Sequence, residues 1–157
     1  MNPSVVIPLL SLVAGSLLTF GLESIRHRRA RGEEIQDSRR VERAQAYVDF
    51  LEAAHEAAHL LGRSTKGCPS PVAGSAESFW LLDSAVTRKL RIIEVVGSDA
   101  VVDNARSLRA ALGEFRSRVT DPEMTYASED YWSAYKPVSA ARNALINSAR
   151  SDLQQTA

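Results

Sequence analysis

Residues 98–122, SDAVVDNARSLRAALGEFRSRVTDP, carry the most regular apolar spacing in the chain. Val101, Ala105, Leu108, Leu112, Phe115 and Val119 step by four and three without a break, the interval that places apolar side chains on one face of an α-helix. Ser98 suits the cap of that helix, and Thr120-Asp121-Pro122 ends it.

The same period extends to both sides. A helix from about Ala76 to Val96 carries Phe79, Leu82, Val86, Leu90, Ile93 and Val96 on one face, with Gly97 at the position expected just past its end. A last helix is predicted to start near Ser128 and to present Tyr131, Tyr135, Val138, Ala141, Leu145, Ala149 and Leu153, with Pro137 bending or delaying its first turns. Upstream, Val41, Ala44, Tyr47, Val48, Leu51, Ala54, Ala58 and Leu61 form an apolar stripe that stops at the turn-rich segment Gly62–Pro71. No window alternates with period two. Four amphipathic helices joined by short loops predict an all-α fold with an antiparallel four-helix bundle over residues 44–157.

The amino-terminal part is of another kind. Residues 1–22 contain no charged side chain, and Val5–Leu22 gives 18 uncharged, mostly apolar positions. At about 1.5 Å per residue that run just crosses a hydrocarbon core. Met1-Asn2-Pro3-Ser4 lacks the positive charge of a signal peptide, so the run is expected to be a retained transmembrane helix. Arg26, Arg28, Arg29 and Arg31 follow it directly and nothing basic precedes it. The positive-inside rule then puts the amino terminus outside and the carboxy-terminal part in the cytoplasm, on the inner membrane. The transmembrane helix is expected to continue into a polar basic stalk, residues 23–43, that leads into the bundle. Ser11, Gly15 and Thr19 recur every four residues, a small-residue face suited to pairing with a second copy.

The composition narrows the function classes. With 157 residues, 45% of them hydrophobic, the chain is neither disordered nor disulfide-stapled, and Cys68 is its only cysteine. Nineteen basic and nineteen acidic side chains cancel, against the basic excess of a nucleic-acid binder. The neutrality is a sum over unlike parts, the arginine collar at one end and the acidic stretch Asp121–Asp130 at the other. Nucleophile elbows, phosphate-cradling glycine loops and dinucleotide fingerprints are missing from the sequence.

One motif carries chemistry. His55-Glu56-Ala57-Ala58-His59 resembles the HExxH signature of zinc metalloproteases, in which two histidines one turn apart hold zinc and the glutamate acts as general base. With Leu51 as the centre of the apolar stripe, His55 falls at about +40°, His59 at about +80° and Glu56 near 140°, a poor placement for a base. Gly62 sits where a longer form of the signature has its glycine, but Thr65 occupies the place of the third histidine. Glu77 is the downstream acid available as a further ligand.

In an up-down-up-down bundle His55 and His59 share one end with Phe79, Trp80, Tyr131, Trp132 and Tyr135. Those aromatic residues form either a core cap or a candidate binding surface, with Glu77, Asp121, Glu123, Glu129 and Asp130 around it.

The amino-terminal membrane run, the arginine collar and the carboxy-terminal Tyr131-Trp132, Ala141-Arg142 and Ala149-Arg150-Ser151-Asp152-Leu153 together resemble small single-pass membrane proteins of actinobacteria and their phages. The resemblance is architectural, and implies an origin and a location but no activity. The expected function is a non-enzymatic interaction or regulatory module at the cytoplasmic face of the membrane, without a cofactor, its partners the bilayer and another protein or a second copy. The alternative is a membrane-bound hydrolase using zinc on His55, His59 and Glu77, with Glu56 as base.

Overall fold

The computed structural model describes residues 36–73 and 76–155. The chain divides between Arg39 and Arg40, and the packing below is that of the second part. The run Val5–Leu22, the face of Ser11, Gly15 and Thr19, and Arg26, Arg28, Arg29 and Arg31 lie outside the described residues. Among those described, no helix is long and apolar enough to cross a membrane.

Four helices make up the described chain: α1 (36–64), α2 (Ala76–Val96), α3 (Asp99–Val119) and α4 (Glu129–Gln155). They close a ring. α1 reaches α2 through Lys89 and Asp49 at 2.5 Å, α2 packs on α3 and α3 on α4, and α4 returns to α1 where the Tyr47 hydroxyl donates to Asp152 at 2.6 Å. Ends of opposite direction meet throughout. Tyr47, early in α1, lies against Gly97 at the end of α2, and Gly62, late in α1, lies against Tyr131 at the start of α4. The arrangement is therefore an antiparallel, all-α four-helix bundle.

α3 forms as its spacing predicts, with Val101, Ala105, Leu108, Leu112, Phe115 and Val119 all buried. Ser98 precedes it in an extended conformation, but its side chain makes no capping hydrogen bond; its carbonyl accepts from Val102 instead. α4 begins at Glu129, where Ser128 Oγ accepts the Tyr131 N–H, and runs through Pro137 without a delayed start. Gly97 does not take up a left-handed conformation. It is there for space, because a Cβ would stand 2.9 Å from the Ile93 carbonyl and 3.4 Å from the Tyr47 hydroxyl.

α1 keeps Tyr47, Ala54, Ala58 and Leu61 of the expected stripe on its buried face and departs from it at Val41, Val48 and Leu51. Its buried face is Ala46, Tyr47, Phe50, Ala53, Ala54, Ala57, Ala58 and Leu61, while Val41 is 67% and Val48 48% exposed and Leu51 is half-buried. The face is rotated because Phe50, fully buried, is the largest apolar side chain on the helix and takes the centre. Alanines on either side let the helix pack at close range whichever way it turns.

The loops at one end are tied together. The Tyr126 N–H donates to the Lys66 carbonyl at 2.8 Å, and Lys66 and Thr125 form an isolated parallel bridge. Thr65, buried beneath it, donates through Oγ1 to the Leu61 carbonyl. A Cβ at Gly62 would lie 2.7 Å from the Tyr131 hydroxyl, and Tyr131 is wedged between Phe115, Tyr126 and Trp132. Gly62→Ala is therefore expected to destabilise the bundle by about 1–3 kcal/mol in urea unfolding, with part of the loss recovered in Gly62→Ala/Tyr131→Phe.

Burial and the adjoining Asp152 carboxylate raise the Tyr47 phenol above its ordinary value of 10.0. Burial, with the phenols of Tyr126 and Tyr135 adding to it, pushes Tyr131 up to about 12. An unfolded chain releases these protons near pH 10 while the folded one keeps them, so stability is intact below pH 10 and declines as the pH rises beyond it. Tyr47→Phe is expected to flatten that decline. At neutral pH the same variant removes the Tyr47 hydrogen bond to buried Asp152 and costs about 1–3 kcal/mol, read from the urea midpoint.

Candidate interaction site

The sequence placed seven side chains at one end of the bundle, and the structure sorts them into three groups. Tyr131, Trp132 and Tyr135 do come together, on the first two turns of α4. Tyr131 stands edge-on to Phe115 at 5.6 Å and to Trp132 at 5.1 Å, and Tyr135 meets Phe115 at 5.5 Å. Tyr126 completes the cluster at 5.0 Å from Tyr131. Phe115 and Tyr131 are buried, so this group caps the core and leaves only Trp132 prominent at its rim. Tyr126 was not foreseen, because it lies in the turn between α3 and α4 and belongs to no periodic pattern.

His55 and His59 form the second group. Their rings stack with centroids 6.0 Å apart and both are exposed, as is Glu56. With Phe50 as the centre of the buried face, His55 lies at about 140°, His59 at about 180° and Glu56 at about −120°. The pair thus points away from the core, and the glutamate faces another direction. His59 borders two shallow troughs, one with Glu56 and Leu81, the other with Cys68 and Tyr126. Among the described residues no three His, Cys, Asp or Glu side chains, Glu77 included, gather to hold a metal ion. Glu77, Glu129 and Asp130 sit in first turns, where the helix dipole favours them, and Asp121 accepts from the Glu123 N–H.

Phe79 and Trp80 make the third group only in the sense of being apart from the others. Trp80 is 65% exposed on the outside of α2. Phe79 turns inward and lines a slot between α2 and α3. The floor of the slot is Ala57, Leu61, Leu82, Val86 and Leu112, and its volume is about 70 Å³.

Two features define this slot. Gly113 lies in the middle of α3, and a Cβ there would meet nothing within 4 Å, so a small residue borders an open apolar space. Two arginines frame it. The Arg116 guanidinium stands 5.4 Å from the Phe79 ring centroid. Arg109 donates through Nε to Thr87 at 3.0 Å and reaches Asp83 at 3.3 Å. Asp83 also lines the slot, so its rim is the Arg109–Asp83 ion pair and the Arg116 guanidinium around an apolar floor, a setting for an apolar side chain. Phe79 and Leu82 were legible as core-facing positions; Gly113, Arg109 and Arg116 gave no signal, because only the neighbouring helix makes a space of the gap.

No protein-family model, no curated protein and no solved structure matches this chain.

Gly113 is exposed and helical, and nothing opposes a methyl group there. Gly113→Ala is expected to stabilise the bundle by about 0.5–1 kcal/mol through the lower backbone entropy of the unfolded chain, read as a higher urea midpoint. A lower midpoint would show that the slot is closed in solution.

Proposed function

We propose that this protein is a membrane-anchored, non-enzymatic interaction module, in which Val5–Leu22 holds the helical bundle at the cytoplasmic face of the inner membrane and the slot beside Gly113 receives a partner. The setting is that of actinobacterial and phage membrane proteins, by the resemblance of architecture. The observation that carries the binding arm is the slot itself. It is apolar, framed by Arg109 and Arg116, and left open by a glycine in an otherwise strong helix. What supports the membrane arm is the sequence, 18 uncharged positions followed at once by Arg26, Arg28, Arg29 and Arg31. A binding role is favoured over a hydrolytic one because His55 and His59 face outward and Glu56 diverges from them.

Cell fractionation tests the anchor. The full chain is expected in the ultracentrifugation pellet, resistant to alkaline carbonate, and a chain beginning at residue 23 is expected in the supernatant. A photo-crosslinker at Gly113 in native membranes is expected to give one discrete adduct, and the same group at Ser107, exposed earlier in α3, none. Recovery of the full chain in the supernatant without detergent would falsify the membrane arm. Equal adducts from both positions remove the slot as the binding element.

A further inference from the structure

We propose that the outer face of α2 is a lipid-binding surface that lies on an anionic bilayer, with Arg88 and Arg91 at the lipid phosphates and Trp80, Leu81, Ile92 and Val95 in the layer beneath. The inference rests on the membrane-anchored reading above and adds a second point of contact to it.

α2 is apolar on two sides. Inward it buries Val86, Leu90 and Ile93. Outward it exposes Trp80, Leu81, Ile92 and Val95, and Val95 is 83% accessible. Of the seven large hydrophobic side chains exposed among the described residues, four are on α2 and none on α3. The bundle therefore uses one face of α2 and leaves the other uncovered. At about 100° per residue the four outer side chains fall within an arc of about 120°, roughly opposite the buried side. Sequence spacing makes Trp80 and Leu81 one apolar pair and Ile92 and Val95 another, three turns further on.

Arg88 and Arg91 lie between those pairs on the same arc. Both are exposed, and neither has an ion-pair partner among the described residues. The arginines of the adjoining face of α3 differ, since Arg106 is held by Glu94 and Arg109 by Asp83. With Asp83, Ser84, Thr87 and Arg109, the two guanidiniums line a shallow trough; Asp83 there is paired with Arg109, which leaves Arg88 and Arg91 to offer donors to an anion. Glu77, in the first turn, is the single acidic side chain on the arc.

A surface of this composition fits the boundary of a bilayer. Arginine stems lie along apolar surface while their heads remain at the phosphates, and tryptophan is favoured at the same depth. Each basic group near an anionic leaflet adds to the attraction, and salt screens it. A nucleic acid would use the two arginines and leave four large apolar side chains in water. Anionic lipid uses the complementary charge and the apolar pairs together.

The chain has two tryptophans, so Trp132→Phe leaves Trp80 as the only reporter. The full-length variant is incorporated into phosphatidylcholine vesicles with and without phosphatidylglycerol. In anionic vesicles Trp80 emission is expected to shift to the blue and to be quenched by lipids brominated near the headgroup; in neutral vesicles both effects are expected to be small. Arg88→Gln/Arg91→Gln and high salt are each expected to abolish the difference. If Trp80 stays open to acrylamide in both lipids while the protein remains in the vesicles, the proposal is overturned and the anchor stands. If the protein does not stay with the vesicles after a carbonate wash, the anchor itself is wrong and this inference goes with it. Shielding that is equal in both lipids and grows with protein density assigns the face to a second copy and also overturns the proposal. Should Trp132→Phe fail to fold, a spin label at Val95→Cys in a Cys68→Ser chain gives the same reading from its accessibility to oxygen and to nickel.

Discussion

The hydrogen bond from the Tyr47 hydroxyl to Asp152 joins residues 105 positions apart and closes the seam between the first helix and the last. Arg43 adds an ion pair to the same carboxylate at 3.6 Å. A buried carboxylate is costly unless it is hydrogen-bonded and paired, so this contact fixes how α1 and α4 meet. It fixes α2 as well, because the Tyr47 hydroxyl occupies the space that Gly97 leaves at the end of that helix. One phenol thus sets the position of three helices at one end of the bundle. At the other end Tyr131 does the equivalent, filling the space above Gly62 beneath the two linked loops.

Between these two ends the bundle is held by packing of unequal kinds. α3 contributes Val101, Leu108, Leu112, Phe115 and Val119 to the core beside two alanines, and α1 contributes mostly alanines. A helix with an alanine face approaches its neighbours closely, and what space remains depends on the side chains opposite. The slot beside Gly113 arises there, where Ala57 of α1 and Gly113 of α3 leave room that Phe79 and Leu82 do not fill. The helix with the regular spacing thereby also borders an apolar opening.

The uncovered side of α2 and the slot lie on different faces of the same helix. α2 is a structural element inward, through Val86, Leu90 and Ile93, and a presenting element elsewhere. Polar side chains at Trp80, Leu81, Ile92 and Val95 would have served solvent equally well. Their presence leaves an apolar strip along α2 that the bundle does not cover.

The sequence alone determined where α2, α3 and α4 run, because apolar residues there recur over five or more turns and Gly97, Ser98, Pro122 and Ser128 punctuate them. It also determined that Tyr131, Trp132 and Tyr135 share a cluster, since they fall within two turns of one helix. The inward face of α1 was decided only in the tertiary structure. Tyr47, Ala54, Ala58 and Leu61 were legible and are buried, but the spacing joined them to Val41, Val48 and Leu51 where the fold joins them to Ala46, Phe50, Ala53 and Ala57, and alanine adds too little apolar area to decide. Burying Phe50 against the other helices made the choice. That rotation turned His55 and His59 outward, and with Phe79 turned to the slot it separated two histidines from an aromatic residue that the linear spacing had placed at one end. Periodicity gives the turn of each helix about its own axis only when large side chains mark one face, and α1 has few of them.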